Sequence, residues 1–499
     1  MNQMSLTRKK SLAVLLAQAQ ESHLKRTLTA KSLVALGIGA IIGAGLFIRT
    51  AAASAQNAGP AVILSFVVGA FGCLFAGLCY AEFAAMIPIA GSAYTYAYTT
   101  MGEFTAWTIG WALILEYAMG AGTVAIGWSQ YLNRLLGTLF GSTIPYQLCH
   151  SPMQVSDSGV RGMINLPALF IVFILTALLV KGTQESAAVN SIIVGVKVAI
   201  VIMFIVIGRK FINPANHTPF MIPANFPGHE GFFKHGWGGV LGGAGIVFFA
   251  FIGFDAVSTA AQETKNPGRD MPIGILGSLA ICTVLYILFG YVLTGVANWT
   301  EFIKAGKEAS VAYAVQNHMP GFGWLATAIT VAVLFGFSSV ILVMLLGQSR
   351  VFYSMANDGL LPKIFADVHP KFCTPYKCNI TLFFFVGALA AFIPDSVLGD
   401  LTALGTLFAF VLVSIGIWIM RRAQPNLARP FKTPLVPLVP ILGAVVCTAM
   451  IVGLDRYTQL TGIGWMLLGF VVYFLYSRSH SKLNTPEPEI GAAQTSAAQ

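Results

Sequence analysis

Three ionisable side chains lie deep within apolar runs of this 499-residue chain: Glu116, Lys197 and Asp255. On insertion scales each costs at least about 2.5 kcal/mol at a bilayer centre, so each should face a bundle interior, hold a partner or move a proton. Lys197 sits at the middle of the run 187–208, roughly 15 Å of helical rise from either end, beyond the reach of a snorkelling ammonium. It reads either as a proton-responsive group or cation surrogate bracing a neighbouring helix, or as a structural lysine donating to carbonyls. Glu116 and Asp255 are candidates for proton transfer or for contact with a basic substrate. Glu82 lies near a run end and reads as a cytoplasmic gate or interface residue rather than a ligand.

The second chemical signal is glycine. The string Gly-Ile-Gly-Ala-Ile-Ile-Gly-Ala-Gly (37–45) imitates a dinucleotide fingerprint, but that motif needs a strand before it, a helix after it and an aqueous crevice. Here Leu-Val-Ala-Leu precedes and Leu-Phe-Ile follows in one apolar run. Two readings remain: close helix packing through the small pair Gly39 and Gly43, or an unwound break. About 210 residues later Gly242, Gly243, Gly245 and Gly253 punctuate a second run, with Asp255 directly after it. Interruptions at corresponding places in two halves point to an inverted-repeat transporter with its site near the midplane. Freed amides at Ala44, Gly45 and Leu46 would form a half-helix N-terminus suited to a carboxylate. Carbonyls ending the preceding half-helices suit an ammonium, so a zwitterionic amino acid satisfies both ends.

The elements that must carry these residues follow from composition. The chain is 56% hydrophobic and 10% charged, against roughly 25% charged in a soluble domain. Hydropathy gives about twelve runs, 31–53, 60–86, 103–133, 163–181, 187–208, 238–262, 272–297, 321–349, 378–394, 399–420, 435–454 and 462–477. They are continuous rather than alternating, which excludes a β-barrel. The expected organisation is a cytoplasmic segment 1–30, a transmembrane domain 31–480 and a disordered cytoplasmic tail 481–499. If the first end is cytoplasmic, nineteen Lys and Arg fall on that side and nine on the other, which places both termini in the cytoplasm. The net charge of +10 therefore reports topology, and no nucleic-acid partner is expected.

Other chemistries fare worse. The run Leu12 to Ala17 is too short and polar for a signal peptide. Seven cysteines, four of them inside apolar runs, form no disulfide framework, and His369, Cys373 and Cys378 match no common zinc spacing. All eight histidines lie outside the runs, which argues against a haem or zinc enzyme, and no cofactor is expected. No carbonyl filter string or ring of like charges suggests a channel.

Five strings carry a resemblance: Gly-Ala-Ile-Ile-Gly-Ala-Gly-Leu-Phe (39–47), Tyr-Ala-Glu-Phe-Ala-Ala-Met-Ile-Pro-Ile-Ala-Gly-Ser-Ala-Tyr-Thr-Tyr (80–96), Phe-Phe-Ala-Phe-Ile-Gly-Phe-Asp-Ala (248–256), Gln-Glu-Thr-Lys-Asn-Pro-Gly-Arg-Asp-Met-Pro-Ile-Gly (262–274) and Gly-Gln-Ser-Arg-Val-Phe-Tyr-Ser-Met-Ala-Asn-Asp-Gly-Leu-Leu-Pro (347–362). Over residues 30–480 the chain resembles the amino acid-polyamine-organocation (APC) permeases, most closely their cationic amino acid transporter-like branch. The resemblance implies an all-α integral membrane fold of about 12 transmembrane helices, a LeuT-like 5+5 inverted repeat plus two extra helices. It implies that amides near Ala44 and Gly45 hold a substrate carboxylate, that carbonyls of Ile41, Phe249, Ala250 and Ile252 hold its ammonium, and that Phe249 is a thin gate. Many relatives carry Ser or Thr where this chain has Ala44, which leaves backbone amides alone there. Lys197 falls where the family carries a lysine in place of a sodium site, implying proton coupling. Glu116, Met119, Asp255, Ser338 and Met344 are the expected neighbours of the substrate side chain, Met344 most directly by family position. Met344 favours a short side chain and the carboxylates favour a basic one, so small neutral and cationic amino acids both stay open. The function expected is secondary active uptake by alternating access, not enzymatic catalysis. An exchanger with the same fold is the alternative. The expected location is a bacterial inner membrane, with amino acid, protons and lipid as partners and any small accessory membrane subunit undetermined.

Overall fold

Thr29 opens the first helix of the bundle: its hydroxyl accepts the Ser32 amide at 3.5 Å, capping one of the donors a helix start leaves free. The computed structural model describes residues 8–10, 28–87, 92–156, 158–182, 187–304, 310–372 and 374–484. Most of the N-terminal segment, residues 485–499 of the tail and Cys373 lie outside the described residues.

The helices that build the bundle are α1 (Ala30–Ile41), α2 (Val62–Met86), α3 (Glu103–Ile114, running on through Leu115–Met119 into Gly120–Phe140), α4 (Leu166–Lys181), α5 (Ala187–Gly208), α6 (Gly236–Val247), α7 (Pro267–Val296), α8 (Gly323–Asn357), α9 (Tyr376–Phe392), α10 (Asp395–Ala423), α11 (Leu438–Gly453) and α12 (Arg456–Val472). Among the described residues eight helical segments are long and apolar enough to cross a membrane, with four shorter apolar helices beside them. No strand is present among the described residues. Large apolar side chains such as Phe335 (65% exposed) and Phe384 (68%) face outward, which is a lipid-facing rather than a water-facing surface. The helices run beyond the apolar limits of the sequence: α8 continues to Asn357 and α3 to Phe140. Their last turns carry polar residues that hydropathy rejects but a helix leaving the lipid tolerates.

Helix pairing follows a regular scheme. α2 packs on α7, α3 on α8 and α4 on α9; α1 lies against α7 as α6 lies against α2, and α5 meets α8 as α10 meets α3. α11 packs outside on α10 and α2, and α12 on α10 and the first part of α3.

The glycines divide into two roles. Gly242, Gly243 and Gly245 do not unwind the sixth run; they lie in regular helix and serve packing. A Cβ on Gly243 would stand 2.7 Å from Ser65 Oγ, and one on Gly245 2.9 Å from a Leu454 methyl. The break there occurs instead at Ile252, Gly253 and Phe254, where Gly253 takes φ +114°. In the first run the break falls at Ile42 and Gly43, after which the chain resumes helical geometry at Ala44 and runs on as a π-helical turn, Gly45–Arg49.

Polar ties close the face that carries the chain ends. Glu82, fully buried at the end of α2, accepts both Arg421 Nε (2.9 Å) and Nη2 (2.8 Å) and the Thr433 amide (2.8 Å), and Arg429 Nε stands 3.2 Å away. It is an interface residue, joining α2 to α10 and the segment leading to α11. Nearby, Lys10 Nζ donates to Asp358 (2.9 Å), which also accepts Tyr94 OH (2.8 Å), and Arg8 donates to the Leu483 carbonyl (2.9 Å).

Candidate functional site

The two breaks touch. A Cβ on Gly45 would collide with the Ala250 backbone, and one on Gly253 would stand 2.9 Å from the Ala40 carbonyl carbon. Only glycine permits this approach, and at Gly253 only glycine takes the dihedral comfortably. Ile41, Ala44, Gly45, Phe249, Ala250 and Ile252 are brought together here, all at most a few per cent exposed. Beyond Ile41 the first run leaves helical geometry, so the amides at the start of the resumed helix have no partner in the preceding turn.

A residue absent from the sequence reading ties the breaks. Tyr286 of α7, fully buried, places its hydroxyl 2.9 Å from the Ile41 carbonyl and 2.9 Å from the Ala250 carbonyl. Its only sequence signal is that it is one of two tyrosines, with Tyr291, in the apolar stretch 279–296, where a hydroxyl must find an acceptor. Lys197 completes the bracing: its Nζ donates to the Gly39 carbonyl at 2.9 Å, two residues before the end of α1. Gly336 of α8 makes room for the lysine stem, since a Cβ there would lie 2.6 Å from Lys197 Cε.

Glu116 and Asp255 are both fully buried and lie side by side. Asp255 also accepts the Tyr117 hydroxyl at 3.0 Å. Glu116 stands in the π-helical turn Leu115–Met119 of α3, a local widening common at functional sites. Met344 of α8 packs against α3 one turn beyond Glu116, where a Cβ on Gly120 would meet its sulfur at 3.0 Å. Phe248 packs edge-on against Phe410, whereas the Phe249 ring pairs with no other aromatic ring among the described residues.

A further charge missed in the sequence is Arg49, 4% exposed, in the resumed first run. Its guanidinium pairs with Asp400 near the start of α10, and Gly399 lies against it. α9 separates Asp400 from Asp358, so this pair and the Lys10–Asp358 pair close opposite ends of the bundle. Of the residues that match no common zinc spacing, His369 Nδ1 accepts the amides of Lys371 and Phe372 and Cys378 is buried, and no cluster of three metal-ligating residues occurs among the described residues.

Residues 28–477 match the amino acid permease family AA_permease_2. The chain is 44% identical over 481 residues to the branched-chain amino acid permease BcaP of Bacillus subtilis (strain 168), covering 96% of this chain and 99% of that protein. It is 41% identical to the methylthioribose transporter of the same organism, again over 96% and 99%. The vacuolar cationic amino acid transporter 2 of Arabidopsis thaliana is 35% identical over 85% of this chain and 64% of its own length. With the family matched from the start of α1 almost to the end of the bundle, the chain belongs to the amino acid permeases of the APC superfamily, a multi-pass membrane protein.

Proposed function

We propose that this protein is a secondary active transporter of amino acids with small uncharged side chains, working by alternating access in a bacterial inner membrane with both termini cytoplasmic. The observation that carries this reading is the contact between the two helix breaks, Gly45 on Ala250 and Gly253 on Ala40. Unpaired backbone persists in lipid only where it lines a cavity or binds something. The amides of Ala44 and Gly45 hold the carboxylate, and the carbonyls of Ile41, Phe249, Ala250 and Ile252 hold the ammonium. Phe249, unstacked, swings over the substrate as the gate.

An uncharged side chain is preferred because Asp255 faces Glu116 and accepts Tyr117, leaving Met344 as the specificity wall. The naming of BcaP for branched-chain amino acids points the same way. Twelve spans and a five-plus-five inverted repeat are supported by the pairing scheme. Exchanging α1–α5 for α6–α10 in order maps α1–α7 onto α6–α2 and α5–α8 onto α10–α3, and leaves α2–α7, α3–α8 and α4–α9 unchanged.

Proton coupling rests on Lys197, whose ammonium holds the Gly39 carbonyl: charge on that nitrogen sets how firmly α1 is held. Obligate exchange is the second reading, favoured if Lys197 is only a brace. The deciding experiment is uptake of radiolabelled leucine, alanine, arginine and lysine into proteoliposomes, with and without an inward proton gradient. Wild type should take up the neutral substrates faster with the gradient, and Lys197→Ala should lose that stimulation. Uptake that ignores the gradient but needs internal amino acid establishes exchange. Arginine uptake above leucine overturns the substrate class.

A further inference from the structure

A groove of about 900 Å³ lies where α7 begins, between that helix and the segment leading to α11. It sits on the face that carries the start of α1, because Leu28 exchanges backbone hydrogen bonds with Glu263 (3.0 Å) and Lys265 (2.9 Å) just before α7. Its two ends differ in chemistry. At the aqueous end stand Lys265 and Arg269, both exposed and in no ion pair among the described residues; the nearby Glu263 faces Arg350 instead. Among the described residues no acidic side chain lines the groove. Toward the lipid the walls become Ile273 and Leu276 on α7 and Pro430 and Phe431 opposite. Ile273 is 42% exposed, so this end faces out of the bundle. The shape is built in: a Cβ on Gly268 would stand 2.7 Å from Pro430 Cβ, so glycine there sets how closely the opposite wall approaches. The amides of Arg269 and Asp270 are already bonded to the Asn266 carbonyl (3.1 and 2.8 Å), so the cationic side chains, not the helix end, supply the charge.

A soluble anion would use the cations and leave the apolar walls idle, whereas a hydrocarbon alone would leave the cations unmatched. A molecule with a phosphate at the aqueous edge and acyl chains entering the bilayer matches both ends. We propose that this groove is a binding site for one anionic phospholipid of the leaflet on the terminal face, its phosphate between Lys265 and Arg269 and one acyl chain along Ile273, Leu276 and Phe431. Basic residues at a membrane surface attract anionic lipid, and the apolar wall turns that general attraction into a seat.

The test is native mass spectrometry of the delipidated full-length protein titrated with dioleoyl phosphatidylglycerol or dioleoyl phosphatidylcholine. Wild type should retain phosphatidylglycerol in preference to phosphatidylcholine. Lys265→Ala/Arg269→Ala should weaken that retention roughly thirtyfold, at about a fivefold loss for each surface cation. Both side chains are exposed, so the fold does not depend on them, and Ile273→Trp blocks the site from the other end and should also lower retention. Equal retention of the two lipids by wild type, or phosphatidylglycerol retention unchanged in both variants, overturns the proposal. So does complete displacement by an equal concentration of glycerol phosphate, which would make the groove a site for soluble phosphate.

Discussion

The Tyr286 hydroxyl carries one hydrogen and faces two carbonyls, those of Ile41 and Ala250, at equal distance. It cannot satisfy both fully at once, so each carbonyl keeps acceptor capacity that a substrate ammonium can use. Tyr286→Phe keeps the ring and removes the donor; it should lower stability by about 1 kcal/mol and raise the KM for uptake as the breaks drift apart. A melting temperature and a KM both equal to wild type would show that the hydroxyl holds neither break. Gly45→Ala makes a sharper demand, because the added methyl enters the space of the Ala250 backbone. The variant should insert and fold around displaced breaks yet take up substrate at least tenfold more slowly, since overpacking of this kind costs about 1–3 kcal/mol; near-normal uptake in Gly45→Ala would remove the break-on-break contact from the mechanism. Lys197 was legible as a buried cation from its distance to either end of an apolar run. Tyr286 was not, because one aromatic among many in an apolar helix announces nothing until its partners are known.

At the level of elements, the sequence located both breaks to within a helical turn but assigned them to too many glycines. Gly242, Gly243 and Gly245 lie at helical spacing and face α2, α11 and the chain near Asn57. A small residue signals close approach, and only tertiary structure tells whether a helix or a cavity is approaching. At the end of α2 the sequence left a gate or an interface open; Glu82 forms an interface, whose partners Arg421 and Arg429 lie about 340 residues away in sequence and could not be named. That hub makes its own prediction. Glu82 is fully buried and receives four donors or cations, so Glu82→Ala strands Arg429 without a counter-charge. Breaking such a pair should cost about 3 kcal/mol, the lower end of the usual range because Arg421 is a quarter exposed. Thermal unfolding in detergent should show a clear drop in midpoint for Glu82→Ala and a smaller one for Arg421→Lys, which keeps the charge but loses the bidentate fork. Equal stability of all three proteins would mean that the bundle does not depend on the hub.

Over the whole molecule, two ion pairs stand at opposite ends of one path. Arg49–Asp400 ties the resumed first helix to α10 on one side of the breaks, and Lys10–Asp358 ties the N-terminal segment to the end of α8 on the other. In this conformation both are made and the site residues between them are buried. A transporter that opens one side at a time must break one pair while keeping the other, and removing a pair should bias the equilibrium toward the side it closed. The Lys10 and Asp358 side chains are partly exposed, so the bias should be near the low end of an allosteric coupling, about fivefold. Two buried reporters read it: Thr123→Cys, beside Gly399 and Arg49, and Ser258→Cys, bonded to Ser92 toward the other end. With the native cysteines replaced, Asp400→Ala should speed maleimide labelling at position 123 and slow it at 258, while Asp358→Ala should do the reverse. The exchanged pair Lys10→Asp/Asp358→Lys should return labelling at 258 toward the starting rate, because the attraction is restored with its sign inverted. If both alanine variants change both reporters in the same direction, the pairs only hold the fold together, and the two ends do not open in alternation through them.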